Sequence, residues 1–256
     1  MPDKAMPDIA LFRVKIFADG ADRASILELA TNPLIRGFTT NPTLLRKAGI
    51  TDYEWFGRSL ARAIPNRPFS FEVLSDDFDQ MEQQALQIAS WGENVYVKIP
   101  ITDTRGRSSQ ALVKRLAEHG VQLNVTALMT LDQVDAIVPS LRGGPPSCIS
   151  IFAGRIADAG CDPLPILCEA LQRIRAYPQI ELIWASPREL FNIIQAEEIG
   201  CHIITVTHDL LKKLPLIGRD LTEYSLDTVK MFVNDARAAN FTLKTPAVAV
   251  PSQARR

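Results

Sequence analysis

No Gly-x-Gly-x-x-Gly follows the first apolar run of this chain, and its four cysteines (Cys148, Cys161, Cys168, Cys201) include no Cys-x-x-Cys pair. The first absence weakens a dinucleotide-binding reading. The second, with three histidines (His119, His202, His208) scattered without ligand spacing, argues against a metal site and for reduced, buried thiols. Charge of one sign is missing too. The 28 Lys and Arg against 29 Asp and Glu leave a net charge of −1, a poor basis for binding nucleic acid or a membrane surface. No apolar run approaches the ~18 residues of a membrane helix. The opening Met-Pro-Asp-Lys-Ala-Met-Pro-Asp lacks the apolar core of a signal peptide. The expectation is a soluble, cytoplasmic protein.

What is present is alternation. Short apolar runs at 14–19, 37–41, 69–74, 95–100, 122–128, 148–153, 181–186 and 202–207 read as strands. Between them lie amphipathic stretches such as Asp77–Trp91, Ser108–His119, Leu164–Ala176 and Pro187–Ile199. Eight strands alternating with helices predict an α/β fold, a closed (β/α)8 TIM barrel, and 256 residues suit one such domain. Asn41-Pro42 and Ser186-Pro187 each place a capping side chain before a proline at a helix start, and Asp162-Pro163 is a weaker third case. Arg142–Ser147, with two glycines and two prolines, reads as a loop. The domain is expected over 12–243, with an additional C-terminal helix at 225–240 and flexible tails at 1–11 and 244–256. That helix could cap the barrel bottom or pack on a neighbouring subunit.

Side chains alternate across a strand, so one phase of each strand faces the barrel interior. Lys98, in Val-Tyr-Val-Lys-Ile-Pro, stands out. Burial penalises an ammonium, and a neutral amine can attack a carbonyl. A lone strand lysine more often reaches solvent from a strand end, but this one has company. The same phase reads Phe17 and Asp19, Thr39 and Asn41, Ser70 and Glu72, Tyr96 and Lys98, and Asn124 and Thr126. It continues with Ser150 and Phe152, then Trp184 and Ser186. The polar residues gather toward the carboxyl ends, where barrels carry their chemistry. A purely structural barrel would fill these positions with Val, Ile and Leu, because buried polar groups are costly. Arg155 after the sixth strand and Arg188, read as just inside the helix after the seventh, form a plausible phosphate clamp beside Ser150 and Ser186.

Six segments resemble the transaldolase family, in the family's order from about residue 14 to 240. They are Lys-Ile-Phe-Ala-Asp-Gly (15–20), Gly-Phe-Thr-Thr-Asn-Pro-Thr-Leu-Leu (37–45), Val-Tyr-Val-Lys-Ile-Pro (95–100), Leu-Asn-Val-Thr (123–126), Ile-Phe-Ala-Gly-Arg-Ile (151–156) and Ala-Ser-Pro-Arg (185–188). The resemblance implies Schiff-base chemistry on sugar phosphates in the short transaldolase and fructose-6-phosphate aldolase-like branch, with no metal or cofactor, within the pentose phosphate pathway. It casts Lys98 as nucleophile, Asp19 as the proton carrier in carbon–carbon cleavage, and Glu72 and Thr126 as holders of the water. Asn41 and Asn124 would orient the dihydroxyacetone portion. Ser150, Phe152, Arg155, Ser186 and Arg188 would bind the rest of the substrate, with the serines and arginines at its phosphate end. Small-molecule sugar phosphates are the expected partners, and a homo-oligomer the expected assembly.

Short aldolases of that branch carry Gln and Tyr where this chain has Glu72 and Phe152, which favours transfer over simple aldol cleavage. The chain also departs from the family pattern. Ile151 replaces a proline, Pro187 an aromatic, and Trp184 a small residue; its indole would either reshape the pocket from the inward phase or pack in the core. An aldolase or transaldolase for a specialised sugar is therefore the alternative, with a non-catalytic sugar-phosphate-binding barrel behind it.

Overall fold

A computed structural model describes residues 9–243. Eight parallel strands close in sequence order: β1 (Lys15–Asp19), β2 (Ile35–Thr39), β3 (Phe69–Glu72), β4 (Val95–Pro100), β5 (Leu123–Leu128), β6 (Ser147–Ile151), β7 (Ile180–Trp184) and β8 (Ile203–Thr207). β1 pairs with both β2 and β8, so no strand is left at an edge. The helices between them are α1 (Arg23–Leu29), α2 (Pro42–Lys47), α3 (Tyr53–Ala63), α4 (Phe78–Ala89), α5 (Gln110–Glu118), α6 (Leu131–Ile137), α7 (Ala153–Asp158), α8 (Leu164–Ile174) and α9 (Phe191–Glu198). The short α10 (His208–Leu211) follows β8, and α11 (Leu221–Ala238) follows that. This is the (β/α)8 barrel expected from the alternation, with its extra C-terminal helix.

The described residues fall into two compact units divided between Leu214 and Pro215. The barrel lies in the first and α11 in the second. The span 12–243 expected as one domain runs across both. α11 starts before the expected Ser225 because Asp220 caps it, its carboxylate accepting the N–H groups of Thr222 and Glu223. The expected tails at 1–11 and 244–256 lie outside the described residues, except for Ile9–Leu11, which form a 3-10 turn.

β-branched residues on the outer phase of each strand meet the apolar stripes of the helices. Val97, Ile99, Val125, Ile149, Ile151, Ile204 and Val206 are fully buried there against partners such as Leu112, Leu116 and Leu167. This layer is the main core, and burying each such side chain stabilises the fold by about 1.5–3 kcal/mol. A smaller apolar cluster of Phe17, Cys148, Ile183, Ala185 and Ile203 lies apart from it. These residues occupy part of the inner phase; with the outer layer forming the main core, the inner positions nearer the carboxyl ends, such as Asp19, Lys98 and Ser150, carry polar side chains.

Candidate active site

Strand register sets the site. Glu72, Lys98 and Asn124 are successive partners across β3, β4 and β5, while Thr207, Asp19 and Thr39 are successive partners across β8, β1 and β2. Two rows of polar side chains thus meet at the carboxyl end around a cavity of about 560 Å³. Every residue singled out for the site lines it: Lys98, Asp19, Glu72, Thr126, Asn41, Asn124, Ser150, Phe152, Arg155, Ser186 and Arg188.

Lys98 is 7% exposed. Its Nζ lies 3.2 Å from Glu72 Oε2 and donates to the Thr40 carbonyl at 3.0 Å. Asp19 accepts a hydrogen bond from Thr39 Oγ1 at 2.7 Å. Burial raises the Asp19 pKa above the ordinary carboxylate value; the charge of Lys98 and the Thr39 bond pull against this, and Glu72 adds to it. Glu72 is itself pinned through its backbone. The Tyr53 hydroxyl donates to its carbonyl and accepts from its N–H, both at 2.9 Å. Burial raises the Tyr53 pKa, which keeps that hydroxyl protonated and able to make both bonds.

The amides are committed as well. Asn124 donates from Nδ2 to Ser70 Oγ at 3.0 Å and accepts from Ser150 Oγ at 2.7 Å. Asn41 lies past the end of β2 as the cap of α2, where its Oδ1 accepts the Leu44 N–H at 3.0 Å. Its Nδ2 protons are the polar hydrogens left for a ligand. Thr126 Oγ1 is buried on the cavity wall without a hydrogen-bond partner, a position that suits a water or a substrate hydroxyl. β5 carries an irregularity next to Thr126, with Ala127 at φ +66, which breaks the pairing register between Val125 and Leu128.

The rim is built from loops. The Arg155 guanidinium lies 5.9 Å from the centroid of the Phe152 ring. Gly154 lets this segment approach the β7 loop, since a Cβ there would stand 1.7 Å from the Ser186 carbonyl oxygen. Arg188 Nη1 donates to Ser186 Oγ at 2.8 Å, and its Nε donates to Asp158 Oδ1 at 2.9 Å, with a second bond from Nη2 to Oδ2. These bonds hold the Asp158 carboxyl below its usual range.

Two expectations about this rim are corrected. Arg188 is not inside a helix, because α9 begins at Phe191 and Ser186-Pro187 caps nothing. Instead the Asn192 side chain accepts the N–H groups of Arg188 and Glu189, at 2.8 and 3.1 Å, and holds the segment as a loop. Trp184 does not face the pocket. It packs in the outer core, while Ile183 and Ala185 take the inner phase of β7. Ser186 reaches the cavity only after the chain leaves the strand, at φ +61. Pro187 does line the cavity.

Sequence reasoning missed Thr205, Thr207 and Lys47, which also line the cavity. The alternation Ile-Ile-Thr-Val-Thr in β8 was a signal for the two threonines. Tyr53 had no local signal, because it reaches the site from α3. Among the described residues no group of three His, Cys, Asp or Glu is placed to hold a metal ion.

Fold and cavity together define a (β/α)8 barrel whose carboxyl end carries a buried lysine among carboxylates, amides and hydroxyls. The chain belongs to the transaldolase/fructose-6-phosphate aldolase family, whose model matches residues 16–247. It is 33% identical over 218 residues to a probable transaldolase of Methanococcus maripaludis, covering 84% of this chain and 97% of that one. A probable transaldolase of Streptococcus pyogenes is 31% identical over 225 residues, covering 87% of this chain and 97% of the relative. Among solved structures, a putative phosphonomutase from Burkholderia cenocepacia superposes with a TM-score of 0.53 at 10% identity, covering 89% of this chain and 97% of that one. That likeness concerns the barrel fold alone.

Proposed function

We propose that the protein is a transaldolase that moves a dihydroxyacetone unit from a ketose phosphate, such as fructose 6-phosphate, to an aldose phosphate, such as erythrose 4-phosphate. The observation that carries this reading is the buried Lys98 amine, 3.2 Å from the Glu72 carboxylate and facing the same cavity as Asp19. Its membership of the family and the naming of its relatives as probable transaldolases support it.

In this reading Glu72 takes a proton from the Lys98 ammonium, and the free amine attacks the ketose carbonyl at C2. Water leaves with a proton returned through Glu72, and an iminium remains on Nζ. The Asp19 carboxylate removes the C4 hydroxyl proton, the C3–C4 bond breaks, and its electrons pass to the iminium as an enamine. The aldehyde departs. The enamine then adds to the acceptor aldehyde, Asp19 returns its proton to the new hydroxyl, and water releases the product from Lys98. A carboxylate with a raised pKa suits a group that must both take and return a proton. In the same reading Asn41 and Asn124 would orient the retained three-carbon unit, and Arg155 and Arg188 would bind the phosphate; all four line the cavity. Transfer rather than simple cleavage rests on Glu72 and Phe152, where short aldolases carry Gln and Tyr. Cytoplasmic residence, homo-oligomeric assembly and a place in the pentose phosphate pathway belong to the same reading; fractionation, light scattering and metabolite profiling test them.

The test is borohydride trapping with fructose 6-phosphate, followed by peptide mapping. A reduced adduct on Lys98 is expected, along with glyceraldehyde 3-phosphate release that depends on an acceptor. An adduct at another residue, or none with any of a panel of ketoses, rejects the mechanism.

A further inference from the structure

The barrel has a second cavity at its other end, about 500 Å³ in volume and lined by the first residues of its strands. Lys15, Tyr96, Cys148, Glu181 and Ile203 lie there, joined by Arg36 and by Asn66 and Arg67 from the segment before β3. None of these residues belongs to the catalytic cavity; of the inner apolar cluster, Phe17, Cys148 and Ile203 line this cavity and Ala185 lines the catalytic one.

The charges in this cavity do not balance. Lys15 is matched by Glu181, whose two oxygens both lie 2.6 Å from Nζ. Arg36 and Arg67 have no carboxylate partner among the described residues, and Arg67 Nη1 is buried without any hydrogen-bond partner. A buried guanidinium nitrogen without an acceptor is costly, so Arg67, with the exposed Arg36 also in the lining, makes a ready receptor for an oxyanion. Two uncompensated positive charges match a phosphate dianion, and guanidinium forks match its geometry.

The rest of the lining suits a polar body attached to that phosphate. The Asn66 amide and Tyr96 hydroxyl line the wall. Burial raises the Tyr96 pKa and keeps that hydroxyl a donor. Ser70 lines the cavity too. Its Oγ accepts from Asn124, which leaves its own proton to give. The Phe17 ring offers a flat apolar face, which Gly37 makes room for: a Cβ there would stand 2.6 Å from the ring.

We propose that this amino-terminal cavity is a second ligand site, distinct from the catalytic one, that binds a phosphate group through Arg36 and Arg67. Its ligand is either free phosphate or the phosphate ester of a small polyol.

Titration calorimetry on the full chain tests this with inorganic phosphate, glycerol 1-phosphate and glycerol as probes. None of the three has a carbonyl that could react with a lysine. Variants separate the two cavities: Arg36→Gln/Arg67→Gln for this one and Arg155→Gln/Arg188→Gln for the catalytic mouth. The expected result is a phosphate-dependent binding event that survives the second pair of changes and weakens at least about tenfold with the first, while turnover persists. Tighter binding of glycerol 1-phosphate than of phosphate identifies an ester; equal binding identifies the free ion. Binding lost only with the Arg155/Arg188 pair, or no binding at all, overturns the proposal. If the Arg36/Arg67 variant fails to fold, hydrogen exchange on the unaltered protein decides. Phosphate or its ester must slow exchange around 34–36 and 66–67, and unchanged rates there reject the site.

Discussion

The floor and the rim of the catalytic cavity are built by different means. On the floor, Glu72, Lys98 and Asn124 sit on adjacent strands in fixed register, Asp19 is in register with Thr39 on β2, and each of the four has a short polar contact inside the protein. On the rim, Arg155 and Arg188 are exposed and leave from loops or a short helix. The floor therefore arrives preorganised, since its geometry follows from hydrogen-bonded strands. The rim is held by a few side-chain bonds, such as Arg188 to Asp158 and Asn192 to the loop backbone. Reaction chemistry tolerates little misplacement, whereas phosphate recognition by flexible guanidiniums tolerates more.

The contrast can be broken most sharply at Lys98. Lys98→Ala removes the buried amine beside Glu72, and turnover should fall by about 10³-fold or more, with no adduct in borohydride trapping. Activity within tenfold of wild type would falsify its role as nucleophile. Asp19→Asn should cost roughly 10²–10⁴-fold in steady-state turnover yet raise stability at neutral pH. The sign follows from linkage. A carboxyl whose pKa is raised in the folded state binds more protons folded than unfolded, so stability falls as pH climbs from the ordinary carboxylate range through the raised value. Denaturant titrations at pH 5 and pH 7 should show that fall in wild type and a smaller one in Asp19→Asn. An equal slope in both proteins would reject this account of Asp19.

Glu72→Gln should slow transfer by about 10²-fold and raise tolerance of free dihydroxyacetone as acceptor or product; an unchanged product ratio counts against the assignment to transfer. Tyr53→Phe tests whether the floor depends on its outer support. It leaves the Glu72 N–H and carbonyl without their partner, and should cost about 1–3 kcal/mol in stability. It should also lower kcat more than it raises KM. The smallest effect on chemistry is expected at the rim. Arg188→Ala should raise KM for phosphorylated ketoses about tenfold, leave kcat and stability nearly unchanged, and spare unphosphorylated substrates. Equal losses for both substrate types would mean that Arg188 does not bind phosphate.

The same division decided what could be read from the sequence. Period-two alternation holds while a strand is extended, so the inner positions of β1 to β6 were legible from residue order alone. It failed at Trp184 because Ser186, two residues on, lies past the strand end at φ +61, where alternation no longer applies. The Ser-Pro signal at 186–187 looked like a helix start, but Asn192 further along captures the N–H groups that would have begun that turn. Tyr53 supports Glu72 from another element, and no local pattern encodes such a contact. The strand ends carried the most readable chemistry; Ser186, Arg155 and Arg188 were legible as cavity residues, but the loop conformation at 186–190 and the Tyr53 buttress were not.

Asn41 links a ligand-facing amide to the start of α2 through a single side chain. Asp or Ser in its place would keep the cap and remove the amide protons from the cavity wall, whereas an apolar residue would lose both. The Arg155 side chain is exposed, lies 5.9 Å from the centroid of the Phe152 ring and helps to hold the Asp158 carboxyl low through its charge. Changes in cavity shape are therefore most accessible from the mouth inward, near Arg155 and Phe152, with the wall at Asn41 tied to the start of α2.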